Sequence, residues 1–133
     1  MNKLLLDSTI LVDFLRGKNK AIEFIETHKK DTILFTSEIS VFELMVGAHL
    51  YENKEKHLEK VIELISQIEV LPLDRQASIK AGEIAGMLLR RGNKIESTDS
   101  LIAGIALTNG IHEIVTKNEK HFGRIQDIKI IVY

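Results

Sequence analysis

Short apolar runs alternate with longer amphipathic segments along the whole chain, and this alternation predicts the secondary structure. Short buried strands are expected over residues 4–6, 33–35, 68–71, 113–115 and 128–132. Apolar side chains recur every three or four positions, as in helices, over residues 10–17, 20–28, 38–50, 55–68, 74–92 and 98–110. We therefore expect an α/β fold with a mainly parallel central sheet of about five strands and helices on both faces.

Local signals predict where several helices begin and end. Residues whose side chains can cap the start of a helix are Ser8 or Thr9, Ser37, Asp74, Ser97 and Thr98. Glycines that can end a helix are Gly17, Gly92 and Gly110. There is no internal repeat and no linker rich in proline, glycine or serine, so we expect residues 1–133 to form a single domain.

The composition narrows the classes of function. None of the 133 residues is cysteine, which excludes thiol catalysis, disulfide exchange and cysteine-based zinc sites, and fits a reducing compartment. No apolar stretch approaches the length of a membrane span, and the leucines at 4–6 are too few for a signal peptide. We therefore expect a cytoplasmic protein without a membrane partner. With 18 basic and 19 acidic residues, binding of nucleic acid would have to rely on local basic patches.

Two polar residues directly follow predicted strands. Asp7 comes after the leucines at 4–6, and Thr116 comes after the run at 113–115. The carboxyl ends of parallel strands form the edge at which α/β proteins usually bind their ligands, so both residues are expected at that edge. Asp7 could equally serve to cap the helix that follows it, because aspartate is common at that position.

Glu43 interrupts a predicted apolar helix face. At helical spacing it shares this face with Ile39, Phe42, Val46 and Leu50, which we expect to be buried. A buried glutamate is costly unless a cation or hydrogen bonds compensate its charge. The alternatives are that this part of the helix is exposed or that Glu43 pairs with an arginine.

Asp99 and the pair Asn118-Glu119 complete the set of unusual polar positions. Asp99 lies at the start of a predicted helix on the same side as Ile102, so its side chain is expected to face inward. Asn118 and Glu119 follow the fourth strand, where a turn is the simplest expectation. Asn118 could bind a cation through its amide oxygen, and Glu119 could do so through its carboxylate. Several carboxylates directed into one fold suggest a cation between them.

Several short motifs, taken in their order and spacing, resemble those of the PIN-domain ribonucleases, specifically the VapC-type toxins of prokaryotic toxin–antitoxin pairs. The resemblance covers nearly the whole chain. The matching stretches are Leu5-Leu6-Asp7-Ser8-Thr9 with Leu15-Arg16-Gly17, Ser37 through Glu43-Leu44 to Gly47-Ala48, Gly92-Asn93-Lys94-Ile95 leading to Asp99-Ser100-Leu101-Ile102-Ala103, and Val115-Thr116-Lys117-Asn118 before His121-Phe122. This resemblance implies a single PIN-like domain that acts as an endoribonuclease, the toxin of a type II pair.

The same resemblance implies a metal-dependent active site. Asp7, Glu43 and Asp99 match the family's acidic residues, which implies that they are catalytic and hold Mg²⁺ or Mn²⁺ during hydrolysis of the RNA phosphodiester bond. Thr116 and Asn118 fall on the fourth motif, where many relatives carry aspartate. Because Asn118 departs from that pattern, it stays open whether Asn118 or Glu119 completes the site and whether one ion or two bind. The implied products carry 5′-phosphate and 3′-hydroxyl ends.

RNA contacts are expected from basic and polar residues near these acids. The residues assigned to RNA binding are Arg16, Thr116 and Lys117, and further basic candidates are Arg90, Arg91, Lys94, Lys120 and Arg124. The family pattern favours Arg16 among them, because it places this residue near the acidic cluster. Arg16 could instead pair with Asp13 on the same helix.

The resemblance also implies two protein partners, a cognate antitoxin and a second copy of the chain in a homodimer. Two other functions remain as alternatives. A receiver-type signalling domain would need an acidic pair after the first strand and a phosphoacceptor aspartate after a middle strand, but Asp7 has no acidic neighbour and Phe35-Thr36-Ser37 offers no acceptor. The second alternative is a catalytically idle PIN module that only binds a partner or RNA. The presence of all three acids argues against it.

Overall fold

In the computed structural model, which describes residues 2–133, the chain forms five strands and seven helices. The strands are β1 (Asn2–Leu6), β2 (Thr32–Ser37), β3 (Glu69–Leu71), β4 (Glu113–Val115) and β5 (Lys129–Ile131). The helices are α1 (Ser8–Leu15), α2 (Asn19–His28), α3 (Glu38–His49), α4 (Lys54–Ser66), α5 (Arg75–Arg90), α6 (Ser97–Thr108) and α7 (Glu119–Phe122). Every element except α7 overlaps a segment that the hydrophobic pattern predicted.

The five strands form one parallel sheet in the order β3-β2-β1-β4-β5. β1 lies in the centre, where Leu4 pairs with Leu34 of β2 and Leu6 pairs with Val115 of β4. The strand order reverses at β1, because the chain builds the sheet outward from it in both directions. Parallel α/β sheets bind their ligands at such a switch point, outside the carboxyl ends of the strands.

Helices cover both faces of the sheet, as predicted, and each face has its own core. Leu5 contributes to the core that contains α5, α6 and α7, whereas Leu4 and Leu6 contribute to the core that contains α1, α2, α3 and α4. This alternation follows from the two-residue period of a strand. Since apolar helices cover both faces of β1, three consecutive leucines are needed there rather than an alternating pattern.

Helices α5 and α6 pack closely at Gly104. A Cβ atom at this position would lie 2.5 Å from the carbonyl oxygen of Ala77 and 2.9 Å from the Cβ of Ala81. The small residues on both helices therefore allow the two backbones to come close together. This contact fixes α6 against α5, and Asp99 lies in the first turn of α6.

Two helix starts differ from the prediction. Ser37 and Asp74 cap α3 and α5 as expected, because their side chains accept hydrogen bonds from backbone N–H groups three residues further on. Helices α1 and α6 begin after Asp7 and Glu96 instead, and neither residue makes a side-chain capping bond. The caps predicted at Ser8 or Thr9 and at Ser97 or Thr98 are therefore wrong.

The buried face of α3 is not the one that the sequence spacing predicted. Its buried residues are Ser40, Leu44 and Ala48, whereas Phe42 is 63% exposed and Leu50 is 82% exposed. Apolar residues lie on every side of this helix, so their spacing could not select the side that packs. The prediction of a buried apolar face around Glu43 is wrong, and the alternative of an exposed helix surface is correct for most of that face.

Residues 119–122 form the short helix α7, where only a turn was expected. Its Phe122 is fully buried in the core beside α5 and α6, which explains why this segment is ordered against the sheet. Asn118 immediately precedes this helix as its N-cap residue. Over residues 2–133, none of the helices combines the length and the apolar character that a membrane crossing would require.

Candidate active site

Asp7 and Thr116 meet at the switch point, each directly after the end of its strand. Asp7 is 3% exposed, and its backbone N–H donates to the carbonyl oxygen of Val115 at 3.0 Å. The hydroxyl of Thr116, which is fully buried, donates to Asp7 Oδ2 at 2.8 Å. Burial raises the pKa of Asp7, the Thr116 hydrogen bond acts in the opposite direction, and the charge of Asp99 raises this pKa further.

Asp99 is buried in the first turn of α6 and is held from the segment that follows β4. Its Oδ2 accepts a hydrogen bond from Asn118 Nδ2 at 2.9 Å and lies 2.7 Å from His121 Nδ1. Burial raises the pKa of Asp99, and the contact with His121 is the largest influence that lowers it. The helix N-terminus also favours a negative charge at this position.

One hydroxyl connects the two aspartates. Thr116 Oγ1 donates to Asp7 and accepts a hydrogen bond from the backbone N–H of Asn118 at 2.8 Å, while the Asn118 side chain donates to Asp99. These three hydrogen bonds form one connected series, so residues 116–118 help to position both carboxylates. The fourth motif therefore acts here as a support for the acids.

Glu43 extends from α3 toward the same two acids. Its side chain is half-buried, and Oε1 is a buried oxygen for which residues 2–133 offer no hydrogen-bond partner. Burial raises the pKa of Glu43, the negative charges of Asp7 and Asp99 raise it further, and the Ser8 hydroxyl lowers it. Glu43 therefore lies near enough to Asp7 and Asp99 for their charges to act on it.

The chemistry of these groups fits a hard divalent cation. Carboxylate oxygens are the preferred ligands of Mg²⁺, and a cation would both compensate the mutual repulsion and supply a partner for Glu43 Oε1. Across residues 2–133, no three histidine, cysteine, aspartate or glutamate side chains are already gathered tightly enough to hold a metal ion. The donors are therefore suitable in kind, but their side chains would have to move to bind one ion together.

The chain is similar to known proteins over most of its length. The family model for the PIN domain matches residues 4–128. The chain belongs to the PIN-domain family. The tRNA(fMet)-specific endonuclease VapC of Salmonella typhimurium is 35% identical to this PIN domain over 131 residues, which cover 98% of this chain and 97% of that protein. The tRNA(fMet)-specific endonuclease VapC of Shigella flexneri is 28% identical over 129 residues, which cover 97% of this chain and 96% of that protein.

Solved structures give the same fold. A chain in the crystal structure of DNA-bound VapBC from Salmonella typhimurium matches this PIN domain with a TM-score of 0.88 and 32% identity, covering 99% of this chain and 98% of that chain. The predicted fold class and the resemblance to VapC-type proteins are confirmed. The receiver-type alternative is therefore wrong for this PIN domain.

The three residues that were assigned to RNA binding have different surroundings in the structure. Thr116 is fully buried and its hydroxyl donates to Asp7, which argues against direct contact of this residue with RNA. Lys117 is exposed along its stem, but its ammonium group lies on Asp13 Oδ2.

Arg16 is exposed and borders a groove together with Glu43, so its contact with RNA stays a prediction. The alternative pairing of Arg16 with Asp13 is not seen, since the recorded cationic partners of Asp13 are Lys18 and Lys117.

The remaining assigned positions have different surroundings. Asn118 approaches Asp99 through its amide nitrogen, and Glu119 is exposed at the start of α7. Which of the two would complete a metal site stays a prediction.

Sequence reasoning gave too little weight to two residues. His121 was noted only as part of the family pattern, yet it contacts Asp99 directly. Asp13 entered only as a possible partner of Arg16, yet it is 6% exposed and accepts hydrogen bonds from distant residues. A signal for Asp13 was available in the sequence, because it is an acid among the apolar residues of a helix that packs on the sheet.

Proposed function

We propose that this PIN domain is an endoribonuclease that hydrolyses RNA phosphodiester bonds, and that it acts as the toxin of a toxin–antitoxin pair. The observation that carries the proposal is the placement of Asp7, Glu43 and Asp99 beside the switch point of the sheet, where burial raises the pKa of each acid and neighbouring negative charges raise those of Asp7 and Glu43 further. The similarity to two tRNA(fMet)-specific endonucleases over almost the whole chain supports the same function.

We infer that Mg²⁺ or Mn²⁺ is the cofactor and that Asp7, Glu43 and Asp99 would hold it, with Asn118 or Glu119 as a further ligand. Such an ion, when bound, polarises the phosphate and lowers the pKa of a bound water. The surrounding residues prepare the acids for this task. Thr116 orients Asp7, and Asn118 and His121 orient Asp99, so hydrogen bonds limit the positions that these two carboxylates can adopt.

The substrate that we propose first is initiator tRNA, because two relatives are named for that specificity. The formal charge of -1 provides no general attraction to RNA, so local cations have to guide the backbone to the acids. Arg16 meets this requirement, since it is exposed at the end of α1 and borders the same groove as Glu43. The RNA-binding assignment of Lys117 is weaker, because Asp13 already neutralises its ammonium group.

The direct test is to incubate the purified protein with initiator tRNA, elongator tRNAs, ribosomal RNA and messenger RNA in Mg²⁺ or Mn²⁺, with EDTA as a control. Asp7→Asn and Asp99→Asn should each reduce cleavage by at least about 100-fold while the fold is retained. Asp127→Asn is the matched control, because it makes the same chemical change at an exposed position outside the site. Cleavage by both site variants at the parental rate would refute the proposal.

The same test decides between an enzyme and a catalytically idle module. If the parent binds RNA but cleaves none of the panel in either metal, the binding-only alternative is correct. An Asn118→Asp variant and a Glu119→Gln variant then test which of these two residues is the further metal ligand. The residue that completes the metal site is the one whose substitution changes the apparent affinity for Mn²⁺.

We propose that the antitoxin occupies the groove between α1, α3 and α4, which has a volume of about 350 Å³. Its lining includes Val12, Leu15, Leu44 and Val61, and Glu43 lies at its border, so a bound segment would reach the acidic site. The relationship to a VapBC complex supports such a partner. Leu50→Asp at the exposed rim should prevent co-purification with the protein encoded next to this gene, whereas Val132→Asp, at an exposed position outside the groove, should not.

A homodimer and a cytoplasmic location also remain proposals. The exposed side chains of Ile79 and Leu89 on α5 offer an apolar surface for a second copy. Light scattering coupled to size-exclusion chromatography should give twice the monomer mass of 15.1 kDa. A monomer at working concentration would remove the dimer from the proposal.

A further inference from the structure

A second buried acid lies beside the candidate site without belonging to it. Asp13, on α1, is 6% exposed, and its Oδ2 accepts a hydrogen bond from the Tyr133 hydroxyl at 2.7 Å. The same oxygen lies 2.5 Å from Lys117 Nζ, while Oδ1 lies 3.6 Å from Lys18 Nζ. Tyr133 follows β5 and Lys117 follows β4, so one carboxylate joins α1 to the segments beyond two neighbouring strands.

The partners of Asp13 compensate the cost of burying its charge. The Lys117 ammonium group is the largest influence that lowers the pKa of Asp13, so this carboxylate stays ionised despite its burial. The same ammonium group lies 5.4 Å from the centre of the Tyr133 ring, which adds a cation–π contact. Asp13, Lys117 and Tyr133 each contact the other two, and we call this group the Asp13 clamp.

The clamp is connected to the candidate site through the backbone. Lys117 stands between Thr116, which holds Asp7, and Asn118, which holds Asp99. The Lys117 N–H donates to Thr9 Oγ1 at 3.1 Å, and the Lys117 side chain reaches Asp13. Lys117 is therefore attached to α1 twice, once through its backbone and once through its side chain.

We propose that Asp13 is a positioning residue whose clamp holds residues 116–118 against α1, so that Thr116 meets Asp7 and Asn118 meets Asp99. The proposal rests on the proposed nuclease function for its effect on catalysis. It assigns Lys117 an internal role, in place of the contact with RNA that the sequence analysis expected. A shift of the segment by an ångström would misplace both carboxylates, since the side chains that orient them come from the two residues beside Lys117.

The test compares Asp13→Asn with a matched control, Lys18→Met. Asp13→Asn keeps the shape of the side chain but removes the charge that holds Lys117. Lys18 also faces Asp13 and is as exposed as Lys117, with side-chain exposures of 55% and 53%, but it lies outside residues 116–118. Tyr133→Phe removes one hydrogen bond and leaves the ion pair, so it serves if Asp13→Asn fails to fold.

Two readouts are needed, kinetics on initiator tRNA and amide hydrogen exchange without added metal. Asp13→Asn should lower kcat by roughly 10- to 100-fold and leave KM within about twofold. Exchange of the Lys117 and Asn118 amides should accelerate, while exchange of the Leu5 amide in β1 should not change. Tyr133→Phe should give smaller changes in the same direction, and Lys18→Met should behave like the parent.

Each contrary outcome has a definite meaning. A lower KM with unchanged kcat in Asp13→Asn would overturn the clamp, because it would identify Lys117 as an RNA contact that Asp13 restrains. Faster exchange throughout the protein with unchanged kcat per folded molecule would also overturn it, because Asp13 would then only stabilise the fold. If the parent cleaves no RNA, the proposed function fails by itself. Exchange then decides the clamp alone, and unchanged protection at Lys117 and Asn118 would refute it.

Discussion

The hydroxyl of Thr116 donates to Oδ2 of Asp7 at 2.8 Å, although 109 positions of sequence separate the two residues. The contact exists because β1 and β4 are neighbours in the sheet and each residue directly follows its strand. It joins the first acidic motif of this PIN domain to the fourth. Since the same hydroxyl also accepts from the Asn118 N–H, it determines the geometry on both sides of the site.

Removing this hydroxyl should cost both stability and activity. Thr116→Val keeps the shape of the side chain but leaves Asp7 Oδ2 and the Asn118 N–H without their partner. We expect the free energy of unfolding in urea to fall by roughly 1 to 3 kcal/mol, as for other buried polar groups that lose a partner. Thr116→Ser keeps the hydroxyl and is the control. Equal stability of the valine and serine variants would contradict this role.

Without divalent cations, the acidic site should destabilise the fold as the pH rises. The pKa values of Asp7 and Asp99 are raised above the ordinary 3.8 of aspartate, and that of Glu43 is raised above the ordinary 4.5 of glutamate. The folded chain therefore binds these protons more tightly than the unfolded chain does. This stabilising effect is present at low pH and is lost as the pH rises through the folded values. Asp13 has a lowered pKa and acts oppositely, losing its contribution as the pH falls below its ordinary value.

The pH dependence can be checked with Asp7→Asn in EDTA. The substitution should raise the free energy of unfolding by roughly 1 kcal/mol at neutral pH, as substitutions that relieve strained functional sites often do. The gain should shrink as the pH falls toward the ordinary pKa of aspartate, because the raised pKa of Asp7 lets the folded parent take up this proton more readily than the unfolded chain does. Denaturant unfolding of the parent and of Asp7→Asn at several pH values measures this difference in the free energy of unfolding. A gain that is constant with pH would show that the charge of Asp7 is not the cause.

Divalent cations should reverse this destabilisation in the parent. An ion that binds only the folded state stabilises it by about 2.7 kcal/mol when present at about 100 times its dissociation constant. Mg²⁺ or Mn²⁺ should therefore raise the melting temperature of the parent, and chelation should lower it again. Glu43→Gln should weaken the response, because Glu43 Oε1 is a buried oxygen without a hydrogen-bond partner among residues 2–133. If Glu43→Gln responds to Mn²⁺ as strongly as the parent, Glu43 is not a ligand.

The contact between α5 and α6 should be sensitive to a single methyl group. Gly104→Ala would place a Cβ atom 2.5 Å from the Ala77 carbonyl oxygen, so the helices would have to separate. We expect a loss of about 1 to 3 kcal/mol in the free energy of unfolding. Gly82→Ala on α5 meets no atom within 4 Å and should instead stabilise the helix by about 0.5 to 1 kcal/mol. Similar effects of the two substitutions would contradict the close packing.

Much of the fold could be predicted because its determinants are local. The three leucines of β1, the caps at Ser37 and Asp74, and the glycines at 17, 92 and 110 with positive φ act within a few residues of themselves. The direction in which α3 packs could not be predicted, because its apolar residues surround the helix. Helix α7 was missed because four residues are too few for a periodic pattern, and the burial of Phe122 fixes it.

The sequence by itself determined that this protein is an α/β PIN domain, and it singled out Asp7, Glu43 and Asp99, because strand ends, helix positions and motif spacing are written in consecutive residues. Only the tertiary structure decided what supports those acids. The distant partners of Asp7, Asp99 and Asp13 come from residues 116–121 and from Tyr133, which the pairing of β4 and β5 in the sheet brings beside these acids. These contacts join residues that are far apart in sequence, so they form only when the whole sheet is assembled. Local spacing along the chain therefore could not predict them.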